Sequence, residues 1–385
     1  MTDNRYRRLP VGIQSFKVIR EENYLYVDKS DIVWNMVNLG DKYNYLSRPR
    51  RFGKSVLVDT LESYLEGRKD LFEGLKIMQL EKDWKHYPVI RLDMSRGGAN
   101  EETLRSYLNL RFKDYEEKYN ITPDPTAMLA DRFHAIIATA YKQTGLRVAV
   151  LIDEYDSPLQ HSWRTPEHEK CTGVYREVFA ILKADDEYEQ FIFITGITKF
   201  TQISLFSVLN NLSNISFTPE YAAICGITEE EIEENFMPEI HQMSEANNWS
   251  IQETHDRLKA YYDGYHFSDD NMVDIYNPYS LVNALKQRKI KNFWASSGAT
   301  SLLPKFVDNA ELRLSKFENC SIMRNTLELS DVSGGGAELF LYQSGYLTIK
   351  DSDEFGYILG FPNEEVKQAL YETVLPTLAM RSENE

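Results

Sequence analysis

The residues Arg48-Pro-Arg-Arg-Phe-Gly-Lys-Ser55 end in the Gly-Lys-Ser of a phosphate-binding loop. In the usual pattern, G-x-x-x-x-G-K-[ST], a glycine opens the loop; here Arg48 holds that place. A lysine at the start of a helix works because the helix N-terminus offers unpaired N–H groups and a partial positive charge to phosphate. Lys54 adds a cation over the β- and γ-phosphates, and the Ser55 hydroxyl is a ligand for Mg2+. The candidate nucleotide contacts are Arg48, Pro49, Arg50, Arg51, Phe52, Gly53, Lys54, Ser55 and Val56.

A second constellation lies at Asp153-Glu154, at the end of the apolar run Val148-Ala-Val-Leu-Ile152. A carboxylate at the carboxyl end of a buried strand can reach a metal ion held by Ser55, which assigns Asp153 to the metal. Glu154 could then orient and deprotonate a water for in-line attack, the work of a nucleotide hydrolase rather than a kinase. Thr195, Thr198 and Lys199 follow the next apolar run, Phe191-Ile-Phe-Ile194. A hydroxyl of Thr195 or Thr198 could sense the γ-phosphate or hold the attacking water, and Lys199 could neutralise transition-state charge.

The elements that must position these residues alternate. Residues 43–46 read as a strand entering the loop, and after Lys54 the residues Val56, Leu57, Leu61, Tyr64 and Leu65 share one helical face, with Gly67 placed to end the helix. Val89–Leu92, Val148–Ile152 and Phe191–Ile194 are short enough for buried parallel strands, separated by helix-compatible chain. That alternation predicts an α/β parallel sheet with its site at the strands' carboxyl ends. After residue 225 the texture becomes helical and acidic. Thr228 and Glu231 have capping-box spacing with Ile227 and Ile232 as a hydrophobic staple, and Asn277-Pro278 predicts a second helix start. Residues 338–361, LFLYQSGYLTI and YILGF across an acidic turn, read as strands. The aromatic run Tyr261-Tyr-Asp-Gly-Tyr-His-Phe267 reads as packing at a turn rather than as a base-stacking platform.

Composition narrows the classes. The 385 residues carry a formal charge of -16, which disfavours a sequence-indifferent nucleic-acid binder, although Arg5, Arg7 and Arg8, the loop arginines and the run 286–292 are locally basic. The three cysteines, Cys171, Cys225 and Cys320, form no pair of disulfide or zinc spacing. The N-terminus has no apolar signal core and no run is long enough to span a bilayer, so the expected location is cytoplasmic, with no membrane partner.

Taken in order, "LPVGIQSFKVIREENYLYVDKS" at 9–30, "SRPRRFGKS" at 47–55, "VLIDEYDSPL" at 150–159, "TGITKF" at 195–200, "LFSVLNNLSNIS" at 205–216, "YYDGYHF" and "YNPYSL" resemble the bacterial AAA-ATPase-like family. These are P-loop ATPases commonly joined to a PD-(D/E)XK nuclease domain. In that family the loop resembles R-P-R-R-F-G-K-[ST], so Arg48 is the family's habit. The resemblance implies an ASCE-type P-loop NTPase fold; with the change of texture near 226 the expected division is an ATPase domain at 1–225, a helical lid or winged-helix-like region at 226–312 and a small α+β segment at 313–385. It implies ATP and Mg2+ as ligands, with Lys54 and Ser55 in the loop and Asp153 and Glu154 as the second nucleotide motif. No D…E-x-K constellation stands on plausible strands near the end of this sequence, so no nuclease activity is expected of it; whether the partner domain is absent, separately encoded or removed stays open, and a protein partner or a nuclease domain in trans is one expectation. Two readings stay open: a Mg2+-dependent ATPase that couples nucleotide state to a partner such as a nuclease or DNA, in a mobile-element or defence setting, and a nucleotide-gated interaction module with little turnover. A homo-oligomer, with an arginine supplied by a second copy, is compatible with both.

Overall fold

A computed structural model describes residues 8–124, 126–200, 212–296, 303, 314–330 and 336–382. Arg5, Arg7 and residues 205–211 of the "LFSVLNNLSNIS" motif lie outside the described residues. The chain forms two compact units: residues 30–47 with 58–215, and residues 1–29 and 48–57 with 216–385. The sequence reading divides the chain at 225/226; the units divide at 215/216 and group the loop with the C-terminal part.

The first of these units holds a parallel sheet of five strands: β1 Tyr43–Ser47, β2 Val89–Asp93, β3 Val148–Asp153, β4 Glu189–Gly196 and β5 Ser213–Asn214. Their order is β2-β3-β4-β1-β5, every neighbouring pair parallel. All six residues of β3 are buried, as expected of a strand covered on both faces, and the chain between strands is helical. Because β4 stands between β1 and β3, the strand entering the loop is not the neighbour of the strand ending in Asp153-Glu154. That insertion is the ASCE arrangement. Register aligns the carboxyl ends: Ser47 pairs with Gly196, Ile152 with Ile194, and Asp93 with Asp153.

Helix Lys54–Leu65 starts within the loop and buries Leu57, Val58, Leu61, Tyr64 and Leu65. It ends at Gly67, φ +71°, where Gly67 N donates to Tyr64 O and Arg68 N to Ser63 O, the paired closure that a left-handed glycine permits.

In the other unit, helices Glu229–Asn235, Met237–Asn247, Ile251–Tyr262 and Pro278–Gln287 contribute to one core that includes Ile227, Ile232, Phe236, Ile240, Tyr262 and Leu281. Both expected starts are present: Thr228 and Glu231 form a reciprocal capping box, and Asn277 caps the helix that has Pro278 in its first turn. Among the described residues of 226–296 the β-pairing is confined to isolated bridges, Ile227–Tyr276 and Tyr265–Ile275, so no strand hairpin that would serve as a wing is found there.

A three-stranded antiparallel sheet follows, β6 Cys320–Met323, β7 Thr348–Ser352 and β8 Gly356–Gly360, in the order β6-β8-β7. One expectation is corrected here. Residues 338–344, read as strand, lie in helix Gly336–Ser344, while β7 and β8 fall where strands were expected. Ala337 and Leu339 to Ser344 are all buried, and a short run buried on every side has no periodicity to separate helix from strand.

Candidate nucleotide site

Two sets of residues carry the candidate chemistry, and each is built within its own unit. The first is the loop that leaves β1. The residues in the left-handed region are Arg51, φ +70°, and Gly53, φ +87°; Arg48 is not among them. The turn is therefore made later in the loop, and position 48 has no conformational need for glycine.

Arg48 does something else. Its side chain is 1% exposed; Nη1 donates to Ser216 O at 2.8 Å, Nη2 to Tyr221 O at 2.9 Å, and the guanidinium lies 4.1 Å from the centre of the Phe267 ring. Burial pushes this guanidinium down to about 10. Arg48 was expected among the nucleotide contacts. Its side chain instead ties the loop's first residue to the chain at 216–221, because its donors point to backbone carbonyls.

Phe52 is likewise buried, edge-on to Tyr265 at 4.7 Å and Phe267 at 5.4 Å between ring centres. Tyr265 and Phe267 of the aromatic run thus pack against the loop, with the Phe52 side chain between them and the rest of it. Pro49 is buried against Gly345, where an added Cβ would stand 2.6 Å from Pro49 Cβ, so this contact requires glycine. Tyr265 Oη donates to the carbonyl of the same Gly345 at 3.0 Å. Arg51 is exposed with its guanidinium over Tyr279 at 4.8 Å, and Arg50, Ser55 and Val56 are half-buried. Lys54, 6% exposed, donates from Nζ to Arg48 O and Pro49 O, both at 2.9 Å. The ammonium is thereby held across the loop by carbonyls.

The second set lies at the carboxyl ends of β3 and β4. Asp153 is 3% exposed and its Oδ1 accepts the Glu154 amide at 3.0 Å. Glu154 is half-buried and left-handed, φ +48°, a conformation that costs a non-glycine residue about 1 kcal/mol and turns its side chain out of the strand direction.

The threonines are engaged internally. Thr195, 0% exposed, donates its hydroxyl to Leu46 O at 2.8 Å, binding β4 to β1. Thr198, also 0% exposed, donates its hydroxyl to Asp156 Oδ2 at 2.7 Å and accepts from Gln160 Nε2 at 2.9 Å. Both hydroxyls are thus engaged within the strand-end framework. Lys199 is 8% exposed. Asp156 and Gln160 were not singled out; a Ser-Pro pair after Asp156 reads only as a helix start.

The Ser55 hydroxyl and the Asp153 carboxylate are each, by type, hard oxygen donors. Among the described residues no group of three or more His, Cys, Asp or Glu could hold a metal by itself, and no helix is long and apolar enough to cross a membrane. Cys171, Cys225 and Cys320 are buried free thiols.

Fold and strand-end chemistry together define an α/β protein of the P-loop nucleotide-binding class. The family described as predicted AAA-ATPase matches residues 10–206, and the chain belongs to that family. It is 32% identical over 378 residues, covering 96% of this chain and 70% of the relative, to an uncharacterized protein in the vnfD 5' region of Azotobacter chroococcum mcd 1. Two solved structures align over nearly the whole chain. They are the Aeropyrum pernix ORC1 protein in complex with DNA (12% identity, 98% of this chain and 97% of that one, TM-score 0.27) and Cdc6p from Pyrobaculum aerophilum (11%, 99% and 97%, TM-score 0.26). At such scores the likeness carries no argument about function.

Proposed function

We propose that the protein binds ATP with Mg2+ and hydrolyses it, coupling nucleotide state to a partner. The observation that carries this reading is the sheet's carboxyl edge. Register sets Ser47, the residue from which the Gly53-Lys54-Ser55 loop departs, level with Gly196, while β3 ends beside it in Asp153-Glu154. In this reading helix Lys54–Leu65 and the Lys54 ammonium receive the phosphates. Ser55 and Asp153 would hold Mg2+, which when bound neutralises phosphate charge. Glu154 takes the proton of the attacking water. Its left-handed backbone supports this role, since such strain persists at sites where surrounding structure over-determines it.

The test is steady-state ATP hydrolysis with Glu154→Gln. The variant keeps size and hydrogen bonding but loses the basic carboxylate, so ATP binds as in the unchanged protein while turnover falls by ~10²-fold or more. Turnover that rises with protein concentration beyond proportionality would point to an arginine supplied by a second copy.

A second reading, a nucleotide-gated module with little turnover, is favoured by the internal engagement of both Thr195 and Thr198. Under it the unchanged protein retains ATP without hydrolysing it, and Glu154→Gln matches it in nucleotide residence time.

A further inference from the structure

Asp156 is 1% exposed, and a single oxygen of its carboxylate, Oδ2, takes four hydrogen bonds: from Ile197 N at 3.0 Å, Thr198 N at 2.6 Å, Thr198 Oγ1 at 2.7 Å and Gln160 Nε2 at 2.5 Å. Three of these donors lie on the turn that follows β4, whereas Asp156 belongs to the turn that follows β3. Its position makes this choice informative. Asp156 immediately precedes helix Ser157–Ser162, where an aspartate ordinarily caps its own helix, yet its side chain makes no cap bond. The cap is forgone and the charge spent on the neighbouring turn. An anion that accepts backbone and hydroxyl donors in a buried setting is a strong, directional tie.

The same two turns are joined at further points. Tyr155 N donates to Thr195 O at 3.0 Å, Tyr155 Oη donates to Thr198 O at 2.8 Å, and Phe200 N donates to Tyr155 Oη at 3.0 Å. At Gly196 an added Cβ would fall 2.5 Å from Asp156 Oδ1, so the close approach of the turns depends on that glycine. Between the strand end at Asp153 and the clamp at Asp156 stands Glu154, held at φ +48°.

We infer that Asp156 is a positioning residue that locks the turn after β3 to the turn after β4 and so fixes the direction of Glu154 and the place of Lys199. The inference rests on the proposed reading of Glu154 as the group that takes a proton from the attacking water. Gln160 is the second arm of the lock, bracing both the carboxylate and the Thr198 hydroxyl. Thr198 acts through Asp156 rather than on the nucleotide.

Asp156→Asn places an amide N–H₂ or a weaker acceptor against four donors, so the turns separate while the loop at 48–55 keeps its own sequence and supports. ATP affinity then stays within about two-fold of the unchanged protein while kcat falls ~10-fold or more, since small misplacements of a reacting group cost rate rather than binding. Should Asp156→Asn fail to fold, Thr198→Val and Thr198→Ser carry the same test. Valine keeps the shape and deletes the hydroxyl; serine keeps the hydroxyl. The expected result is a kcat loss with unchanged KM for ATP in Thr198→Val and recovery toward the unchanged value in Thr198→Ser, with thermal melting recorded for each. Two outcomes would overturn the inference while leaving the ATPase reading intact: a kcat within two-fold in Thr198→Val despite a lowered melting temperature, or equal losses in kcat and affinity. Absence of ATP turnover in the unchanged protein would overturn both.

Discussion

Lys54 and Glu154 show how the residue scale separates binding from turnover. The Lys54 ammonium spans two loop carbonyls, at Arg48 and Pro49, so its deletion removes two charge-assisted hydrogen bonds as well as the phosphate contact. Lys54→Ala should therefore abolish ATP binding and also lower loop stability by about 1–3 kcal/mol, a combination read by measuring affinity and melting on one preparation. Unchanged affinity would remove the loop from the site. Glu154 invites an opposite experiment. Glu154→Gly relieves the left-handed backbone, so the protein should melt at the same or a higher temperature while losing turnover. A variant that is both sturdier and inactive separates a catalytic role from a structural one.

At the scale of elements, the loop is a surface of the C-terminal unit as much as an extension of β1. Arg48, Phe52 and Pro49 are seated on Ser216, Tyr221, Tyr265, Phe267 and Gly345, drawn from distant stretches of the chain. Arg48→Gly would restore the ordinary spelling of a phosphate loop and should nonetheless harm the protein. It leaves the Ser216 and Tyr221 carbonyls without their donors and empties the space beside Phe267, a loss of ~2–4 kcal/mol visible as a lower melting temperature. A gain in stability or affinity would mean that the guanidinium is dispensable. Arg48→Lys is no remedy, because one ammonium does not reproduce two separated donors and a planar face over an aromatic ring.

For the whole molecule, the pH dependence of stability is set in part by buried acids. Asp263 is 1% exposed, and Lys259 Nζ stands 3.8 Å from its carboxylate. Burial, opposed by the Gly264 backbone amide and Lys259 and aided by the charges of Asp274 and Glu229, pushes it from 3.8 up to about 7. In the pH window between those values the native state keeps a proton that the unfolded chain has released, so this group's contribution falls as pH rises through the window. Glu365, raised to about 7, and Glu189, raised to about 8, act in the same sense, each chiefly through burial. Asp263→Asn should then raise the melting temperature at pH 8 by a few degrees and leave it nearly unchanged at pH 4. An equal shift at both values would show that the carboxylate is not the titrating group. Mg-ATP in hundred-fold excess over its dissociation constant should add ~2.7 kcal/mol by linkage, read as a further rise in melting temperature.

How much of this was legible in the sequence follows the range of the interactions. β1, the loop, helix Lys54–Leu65 and its Gly67 end, the capping box at Thr228–Glu231 and the buried run of β3 are written in neighbouring residues, because caps, turns and strand burial are decided within a few positions. The same holds for the candidate chemistry of Lys54, Ser55, Asp153 and Glu154, whose order along the chain carries the motif. Helix Gly336–Ser344 escaped because uniform burial erases periodicity. The strand order β2-β3-β4-β1-β5, the seating of Arg48 on carbonyls 168 and 173 residues away, and the crossing of Asp156 to the turn after β4 were decided only by tertiary structure. Each depends on which distant groups leave water together, and a charge or an arginine in a sequence does not reveal which buried donor or acceptor it will meet.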